Sequence, residues 1–315
     1  MNSLLNFAKK NKDTLITPFG EIDVLLFYAI VAHKLKDYLE NREIAAKIWM
    51  PKGKVRFLLK RGSKLEPLYA EELVEAVDLD FLELRSKEEH LKDAKNEITG
   101  LQNKVWQYFL PRKLADFFYA TNHENPGGEI DRIFFDIDRF KGMSAEQAQE
   151  TTRLFLETID EDEEFRNLLE KDKYPFIYWT GNSFHVFFFL SKPEPNSFYE
   201  KYFQYSKNNP EQNFTGKWAK KVNEKVDFKV TGGHERVGDS INIDPSQTPS
   251  GKLSRVPLGS LHMKDATTID GVSVPINQKM IYDDDLAQKL VDYRPNDIIE
   301  NLDDFSKYLP SNSGD

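Results

Sequence analysis

Two aspartates separated by one residue stand in an apolar segment near the middle of the chain. The segment FFDIDRF spans Phe134–Phe140, and its carboxylates belong to Asp136 and Asp138. Successive side chains of a strand alternate between faces, so the two carboxylates share one face while Phe135 and Ile137 point to the other. Such a pair repels itself unless a cation lies between its members, and Mg²⁺ or Mn²⁺ prefers oxygen ligands. The pattern indicates a metal site, with an exposed ladder of acids as the alternative.

A serine and a histidine form a second candidate pair in TGNSFHVFFFL, Thr180–Leu190. Ser183 and His185 share one strand face by the same rule, and Gly181-Asn182 predicts a tight turn before them. A Ser–His nucleophile is disfavoured because the chain has no G-x-S-x-G elbow. The hydroxyl and the imidazole suit hydrogen bonds to a phosphate. A lone histidine in this setting is more often a structural residue, which is the alternative.

A third carboxylate is needed if two metal ions are to be held about 3.5–4 Å apart. Asp227 is our candidate, because KVDFKV at Lys225–Val230 alternates as a strand would. Asp239 and Asp244 are its rivals.

A short loop shaped by proline and glycine follows at Leu253–Lys264, with the sequence LSRVPLGSLHMK. Its cations and hydrogen-bond donors suit a ligand that carries several phosphates. An ordinary surface loop would look similar. The candidate residues are Arg255, Ser260, His262 and Lys264.

Two basic clusters are candidates for contacts with nucleic acid. Residues 51–64 contain no acid and predict a hairpin-like basic strand. A second cluster follows one side of a predicted helix, where Trp218 is placed to stack on a base. Solvated surfaces rich in lysine are the alternative for both. The candidate residues are Lys52, Lys54, Arg56, Lys217, Lys220, Lys221 and Lys225.

Strand-like aromatic segments and helical segments alternate after residue 112, which predicts an α+β fold with one main sheet. We expect three regions in the 315 residues. Residues 1–110 form an N-terminal accessory region, helical with a basic hairpin; residues 111–280 form the catalytic domain; residues 281–315 form an acidic tail or helix.

The composition excludes several classes of site. Without cysteine the chain can build no disulfide, no cysteine-ligated zinc site and no thiol nucleophile. Its longest apolar run, Val24–Ala32, is half the ~18 residues that a membrane span needs, so we expect a soluble, cytoplasmic protein without a membrane partner. The net charge of −9 does not argue against nucleic acid, because the acids concentrate in residues 157–172 and 281–315.

Taken in chain order, these motifs resemble the archaeo-eukaryotic primase superfamily, which includes small catalytic primase subunits and bacterial end-joining polymerase domains. The family pattern has an apolar strand ending in D-x-D, a small residue two before a histidine, an apolar residue followed by aspartate, and a basic residue leading into S-L-H-x-K. The resemblance covers roughly residues 112–265. The matching residues are Asp136, Asp138, Ser183, His185, Asp227, Arg255, Pro257, Ser260, Leu261, His262 and Lys264.

The resemblance implies a prim-pol catalytic core with an RRM-like mixed sheet and flanking helices. It implies two Mg²⁺ or Mn²⁺ ions on Asp136, Asp138 and Asp227, with attack of a 3′-hydroxyl on the α-phosphate of an NTP or dNTP. Single-stranded DNA template and primer are the implied partners. The resemblance leaves open whether a further replication or repair subunit is also a partner. The implied triphosphate contacts are Ser183, His185, Arg255, Ser260, His262 and Lys264.

The resulting hypothesis is a DNA primase or primase-polymerase. A repair polymerase that only extends primers is the alternative, and a non-catalytic nucleic-acid-binding subunit is disfavoured by the intact carboxylates. The sequence departs from the family pattern in three ways that bear on which subfamily it resembles. It has no cysteine-based zinc element, it has Asp265-Ala266 where relatives often have Thr-Gly, and it has Gly181-Asn182 where some relatives have a basic residue. A polymerase-beta-like enzyme is disfavoured because it needs Gly-Ser on a helix before the aspartates. A manganese glycosyltransferase would not explain Ser-x-His.

Overall fold

The computed structural model of the chain describes residues 1–11, 24–62, 64–88, 90–171, 173–234, 238–263 and 265–310. Its helices are α1 (Asn2–Lys10), α2 (Val24–Leu35), α3 (Ala70–Ala76), α4 (Leu79–Lys87), α5 (Leu91–Ala94), α6 (Gly100–Tyr108), α7 (Ala145–Asp160), α8 (Glu163–Arg166), α9 (Asn196–Tyr202), α10 (Phe214–Asn223), α11 (Leu286–Leu290), α12 (Pro295–Glu300) and α13 (Leu302–Ser306). Its strands are β1 (Ile44–Trp49), β2 (Phe57–Lys60), β3 (Ala115–Ala120), β4 (Ile130–Arg139), β5 (Phe176–Trp179), β6 (Phe184–Glu194), β7 (Val230–Gly232), β8 (Ile241–Asp244), β9 (Leu253–Arg255), β10 (Leu261–Met263), β11 (Ile269–Val272) and β12 (Val274–Ile276).

The chain divides into two compact units, and each combines segments that are distant in sequence. The first unit comprises Met1–Tyr119, Arg255–Pro275 and Tyr293–Asp315; the second comprises Ala120–Ser254 and Ile276–Asp292. The sequence predicts a boundary near residue 110 and one continuous stretch to residue 280. The chain instead returns to the first unit, where the amide of Val256 donates to the carbonyl of Phe117 at 3.0 Å.

The first unit is organised around α2, which lies against the inner face of the antiparallel sheet β2-β1-β3. Tyr28 of α2 packs edge-on against Phe117 of β3, with ring centroids 5.0 Å apart. Its hydroxyl donates to the carbonyl of Ala115. Helix α2 is buried on nearly every side because α3 also packs on it. Among described residues, no helix has the length and apolar character that would cross a bilayer.

The predicted basic hairpin is confirmed. Strands β1 and β2 pair antiparallel, from Trp49 opposite Phe57 to Ala46 opposite Lys60. Three basic residues, Lys52, Lys54 and Arg56, stand in the exposed turn between the strands, and Lys60 is the last residue of β2. Strand β2 is at the sheet edge, and its Phe57 and Leu59 are 44% and 51% exposed.

The second unit contains a mixed sheet, as the sequence predicts, in the order β5-β6-β4-β8-β7. Its central strand β4 pairs antiparallel with β6 and β8, while β7 and β8 are parallel. Helices α7 and α10 cover one face, where Phe135 packs against Phe155 and Trp218 at centroid distances of 4.9 and 6.0 Å. The alternation of β4 then places Phe134 and the two aspartates on the other face.

Candidate active site

A row of polar side chains crosses four strands of the second unit. Asp136 on β4 lies opposite His185 of β6 on one side and opposite Asp244 of β8 on the other. His185 in turn lies opposite Tyr178 of β5. Directly opposed residues of neighbouring strands project from the same face, so all four side chains share it. Asp138, two positions beyond Asp136, shares this face as well.

The histidine of this row is held on both ring nitrogens. Its Nδ1 lies 2.6 Å from the hydroxyl of Tyr178, which lies 2.7 Å from the hydroxyl of Ser254. Its Nε2 lies 3.4 Å from Oδ1 of Asp136. The ring also packs edge-on against Phe134, with centroids 4.7 Å apart. These contacts fix the imidazole plane and direct Nε2 to the carboxylate pair.

Asp244 completes the row, although the sequence favours Asp227. The Asp244 carboxylate is 6% exposed and accepts hydrogen bonds from the backbone amide and hydroxyl of Ser246, each at 2.9 Å. Its Oδ2 is also 2.9 Å from Nδ1 of His234. Burial of a carboxylate is unfavourable without such partners, and these contacts hold Asp244 at the end of β8.

Asp227 does not lie on a strand. It is exposed in a bend after α10, three residues before β7 begins at Val230. The predicted strand over Lys225–Val230 is therefore wrong. Alternation predicts a strand only where a neighbouring strand pairs with it, and pairing with β8 begins at Val230 opposite Ile241. Asp227 is therefore not one of the residues that strand pairing sets opposite Asp136.

The fit of these carboxylates to metal ions can be judged from their chemistry. In the described part of the chain, no three His, Asp or Glu side chains converge as they would around a bound ion. Nevertheless, Asp136 and Asp138 share a face, and the Cβ atoms of opposed residues such as Asp136 and Asp244 are typically about 4.5–5.5 Å apart. Carboxylates on one strand face are the type of oxygen ligand that hard ions such as Mg²⁺ and Mn²⁺ prefer, so these residues fit such ions by their chemistry.

Ser183 lies one residue before β6, at the base of a tight turn. Its hydroxyl donates to the carbonyl of Ile137, and its amide donates to Oγ1 of Thr180 at 3.1 Å. Arg139 clamps the same turn: its Nε donates to the carbonyl of Asn182 at 2.6 Å, and another guanidinium nitrogen lies 3.0 Å from Oδ1 of Asn182. Ser183 is buried, so its hydroxyl joins the turn to β4 in this structure.

Arg255, in the first unit, is held over the outer sheet face by three contacts. One guanidinium nitrogen donates to the carbonyl of Leu261 at 2.6 Å, and a second lies 3.4 Å from Oδ2 of Asp116. The guanidinium carbon lies 5.1 Å from the ring centroid of Phe118. The side chain remains 15% exposed, so the cation is oriented and still accessible to an anion.

The buried carboxylate beneath Arg255 also binds a lysine that sequence reasoning missed. Asp116 accepts a hydrogen bond from the indole of Trp49 at 2.8 Å, and Nζ of Lys47 lies 3.6 Å from it. Burial lowers the pKa of the Lys47 ammonium below its usual value, and the Asp116 carboxylate opposes that shift. A signal was present in the sequence, because both residues interrupt apolar strands: IAAKIW and ADFFYA.

The remaining residues of the predicted basic loop have different surroundings. His262 is partly exposed, and its Nδ1 lies 2.6 Å from Oδ1 of Asp270 on the neighbouring strand. Ser260 is fully buried; its hydroxyl accepts from the amide of Phe117 at 3.3 Å, and its own amide donates to Ser273 at 2.7 Å. Lys264 lies outside the described residues.

The predicted basic helix is α10, but its tryptophan does not face solvent. Lys217, Lys220 and Lys221 are exposed on α10, and Lys225 is exposed just beyond its end. Trp218 is 0% exposed, and its indole donates to Oδ2 of Asp162 at 2.8 Å. The prediction that Trp218 stacks on a base is therefore wrong. The helix turns its lysines outward and its aromatic residue into the core.

Trp218→Leu should act on stability alone. We expect the free energy of unfolding to fall by about 2 kcal/mol, since a large ring and a buried hydrogen bond are lost. Urea denaturation followed by circular dichroism measures this. Affinity for single-stranded DNA should not change below the unfolding transition, whereas loss of a base-stacking residue would weaken it by about 1–3 kcal/mol. A weakened DNA affinity with unchanged stability would contradict the buried placement.

Comparisons with known proteins can now be set beside this geometry. No protein-family model and no curated protein sequence matches the chain. A solved structure with a similar fold is the polymerase domain of Ligase D from Mycobacterium tuberculosis in complex with DNA. It is 15% identical, with a TM-score of 0.53, and the alignment covers 95% of this chain and 98% of that domain. The chain therefore has the fold of a prim-pol polymerase domain, which confirms the predicted fold class.

Proposed function

We propose that the chain is a template-dependent nucleotidyltransferase that joins nucleotides to a primer on DNA. One observation carries the proposal: in a chain with the fold of a polymerase domain, Asp136 and Asp138 share one strand face beside the oriented His185. Fold alone supports many activities, so the carboxylates and the imidazole must supply the functional argument. Both are the groups that phosphoryl transfer to a hydroxyl requires.

The carboxylates are proposed to hold two divalent ions. Asp136, Asp138 and either Asp244 or Asp227 would be the ligands, and the register of β4 and β8 favours Asp244. When bound, the ions would lower the pKa of the primer 3′-hydroxyl and neutralise charge on the departing pyrophosphate. The role of the sheet is to fix the carboxylates beforehand, since strand-borne side chains are positioned more accurately than those on loops.

Phosphate binding is proposed for His185 in the second unit and, separately, for Arg255 and His262 in the first. Arg255 and His262 are partly exposed, whereas His185 is buried. Each is held by a protein partner that fixes its orientation: Tyr178 for His185, Asp116 for Arg255 and Asp270 for His262. Ser183 and Ser260, predicted as direct contacts, have hydroxyls bonded within the protein, so we propose that they shape the site. Lys264 keeps its predicted role as a phosphate contact.

DNA binding is proposed for the basic hairpin and for the exposed face of α10. The hairpin offers both kinds of group that a single strand needs, because Lys52, Lys54 and Arg56 lie next to the exposed Phe57 and Leu59. Lysine and arginine bind phosphates, and exposed rings stack on bases. The lysines of α10 present only charge, so they would follow a backbone without reading sequence.

The test is nucleotide incorporation with Mg²⁺ or Mn²⁺, run in parallel on a primed and an unprimed template. We expect extension of the primed template, with each added nucleotide set by the template base. Products on the unprimed template as well would add primer synthesis to the activity. Products on the primed template alone would leave extension as the function. Absence of products with both templates and both metals would refute the proposal and favour a non-catalytic DNA-binding subunit.

Arg255→Ala and His262→Ala should raise the KM for the nucleotide by about tenfold each and change kcat much less. Each removes a contact made in the ground state as well as in the transition state, which raises KM alone. Steady-state incorporation at varied nucleotide concentration measures this. Arg112→Ala, at an exposed arginine of the same unit, is the control. Unchanged KM in both variants would remove these residues from the nucleotide site.

A further inference from the structure

A cavity that the proposed function leaves unused opens in the first unit, with a volume of about 620 Å³. One wall comes from the start of α5 and the other from the end of α6 and the turn after it. Its apolar lining is contributed by Leu91, Trp106, Leu110 and Pro111. Trp106 is almost fully buried and forms the floor, while Leu91 and Leu110 remain half-exposed. Cavities of about 300–1,000 Å³ are typical of small-ligand sites.

The polar groups of this cavity are cationic. Lys60, Lys92 and Lys113 line it together with His90, and none of the described lining residues is Asp or Glu. Within the described ranges none of these lysines forms an ion pair, unlike Lys104 of α6, which lies 2.6 Å from Glu72. Three unpaired ammonium groups around an apolar floor are complementary to a ligand that has an apolar body and a negative charge.

We propose that this cavity binds a nucleoside phosphate, with the base against Leu91, Leu110 and Pro111 and the phosphate among the lysines. The volume suits one nucleotide, and a base supplies the planar apolar surface that the floor can contact. Lys60 is also the last residue of β2, the β-strand that follows the basic hairpin turn. A single strand of DNA bound at that turn would therefore have cationic side chains between it and the cavity.

The nucleoside phosphate could come from two sources, a free nucleotide or one unit of a single strand of DNA. The inference rests on the proposed function, because a protein that binds DNA is expected to place a nucleotide in a cavity lined by lysines. It extends that function, since none of these side chains belongs to the proposed metal or triphosphate contacts. The cavity would give the enzyme a hold on the strand apart from the site of chemistry.

Fluorescence anisotropy of a labelled oligothymidylate tests the proposal on the full chain. The double variant K92Q/K113Q should weaken binding about tenfold and reduce the slope of log K against log salt by about 1.4, since two phosphate contacts are lost. The control K9Q/K10Q removes the same charge from exposed lysines of α1 in the same unit. It should leave both quantities at the wild-type values. Leu91→Gln, which keeps the charge, should weaken binding without changing the slope.

Titration with thymidine monophosphate separates the two sources. If the mononucleotide displaces the labelled oligothymidylate from the wild-type protein and not from K92Q/K113Q, the cavity is assigned to a free nucleotide. If only unlabelled oligothymidylate competes, the cavity is assigned to one nucleotide unit of the DNA strand. Both results support the proposal. If K92Q/K113Q matches K9Q/K10Q while wild-type protein still extends primers, the cavity proposal fails and the proposed function stands. If wild-type protein neither binds the strand nor extends primers, both fail.

Discussion

Asp136→Asn and Asp138→Asn should each reduce nucleotide incorporation by about 10³-fold or more. Metal-assisted catalysis supplies several kcal/mol of transition-state stabilisation, and each 1.36 kcal/mol corresponds to a factor of ten in rate. Asparagine keeps the size of the side chain and one oxygen but removes the negative charge. Because the two carboxylates share one face of β4, neither can replace the other without leaving one ion with too few ligands. Single-turnover incorporation on a primed template measures the loss.

The matched control is Asp131→Asn, an identical change on the same strand. Asp131 is half-exposed, and its carboxylate contacts the adjacent Arg132 rather than the row of the site. We expect full activity for this variant and native circular dichroism for all three. If Asp136→Asn and Asp138→Asn retained incorporation within tenfold of wild type while folded, the carboxylate pair would not hold catalytic ions.

The local part of the site follows from strand periodicity and could be predicted. Alternation along β4 places Asp136 and Asp138 together, and the same rule relates His185 of β6 to Ser183, one residue before that strand. Each prediction concerns residues two positions apart, so only the existence of the strand had to be right. The buried Phe135 and Ile137 on the opposite face confirm the alternation.

Contacts between distant segments could not be predicted in this way. Which carboxylate lies opposite Asp136 depends on the pairing of β4 with β8, more than 100 residues later, and periodicity carries no information on register. Asp227 stood in an alternating run and Asp244 at the end of a short one, so pattern alone favoured Asp227, and only the pairing of β4 with β8 points to Asp244. The burial of Trp218 has the same origin, since four aromatic residues from other elements surround it.

The unit boundaries show the same limit. The amide of Val256 pairs with Phe117, and Ser260 accepts from the amide of the same residue, so the basic loop folds with β3. Nothing in the composition of residues 255–275 marks this return, because β9, β10 and β11 are only three or four residues long. Short strands contribute little local propensity, and their partners determine where they lie.

The placement of Asp244 leads to a second large effect. Asp244→Asn should reduce incorporation by about 10³-fold, as Asp136→Asn does, while Asp227→Asn should stay within about threefold of wild type. Asp244 lies opposite Asp136 on the paired strand, whereas Asp227 is exposed in a bend before β7. Both substitutions are the same chemical change, so the difference between them reports position. Single-turnover incorporation and the Mn²⁺ concentration at half-maximal rate are the measurements.

Asp244 is also buried, so a loss of stability must be separated from a loss of chemistry. Its Oδ2 is bonded to Ser246 and lies close to His234, and asparagine can retain one of these contacts. Ser246→Ala therefore serves as the control, because it removes a partner of Asp244 and keeps the carboxylate. We expect that variant to lose some stability and less than tenfold in rate. The reverse ranking, with Asp227→Asn inactive and Asp244→Asn active, would make Asp227 the third ligand of the proposed ions and would mean that the register of β4 and β8 does not define it.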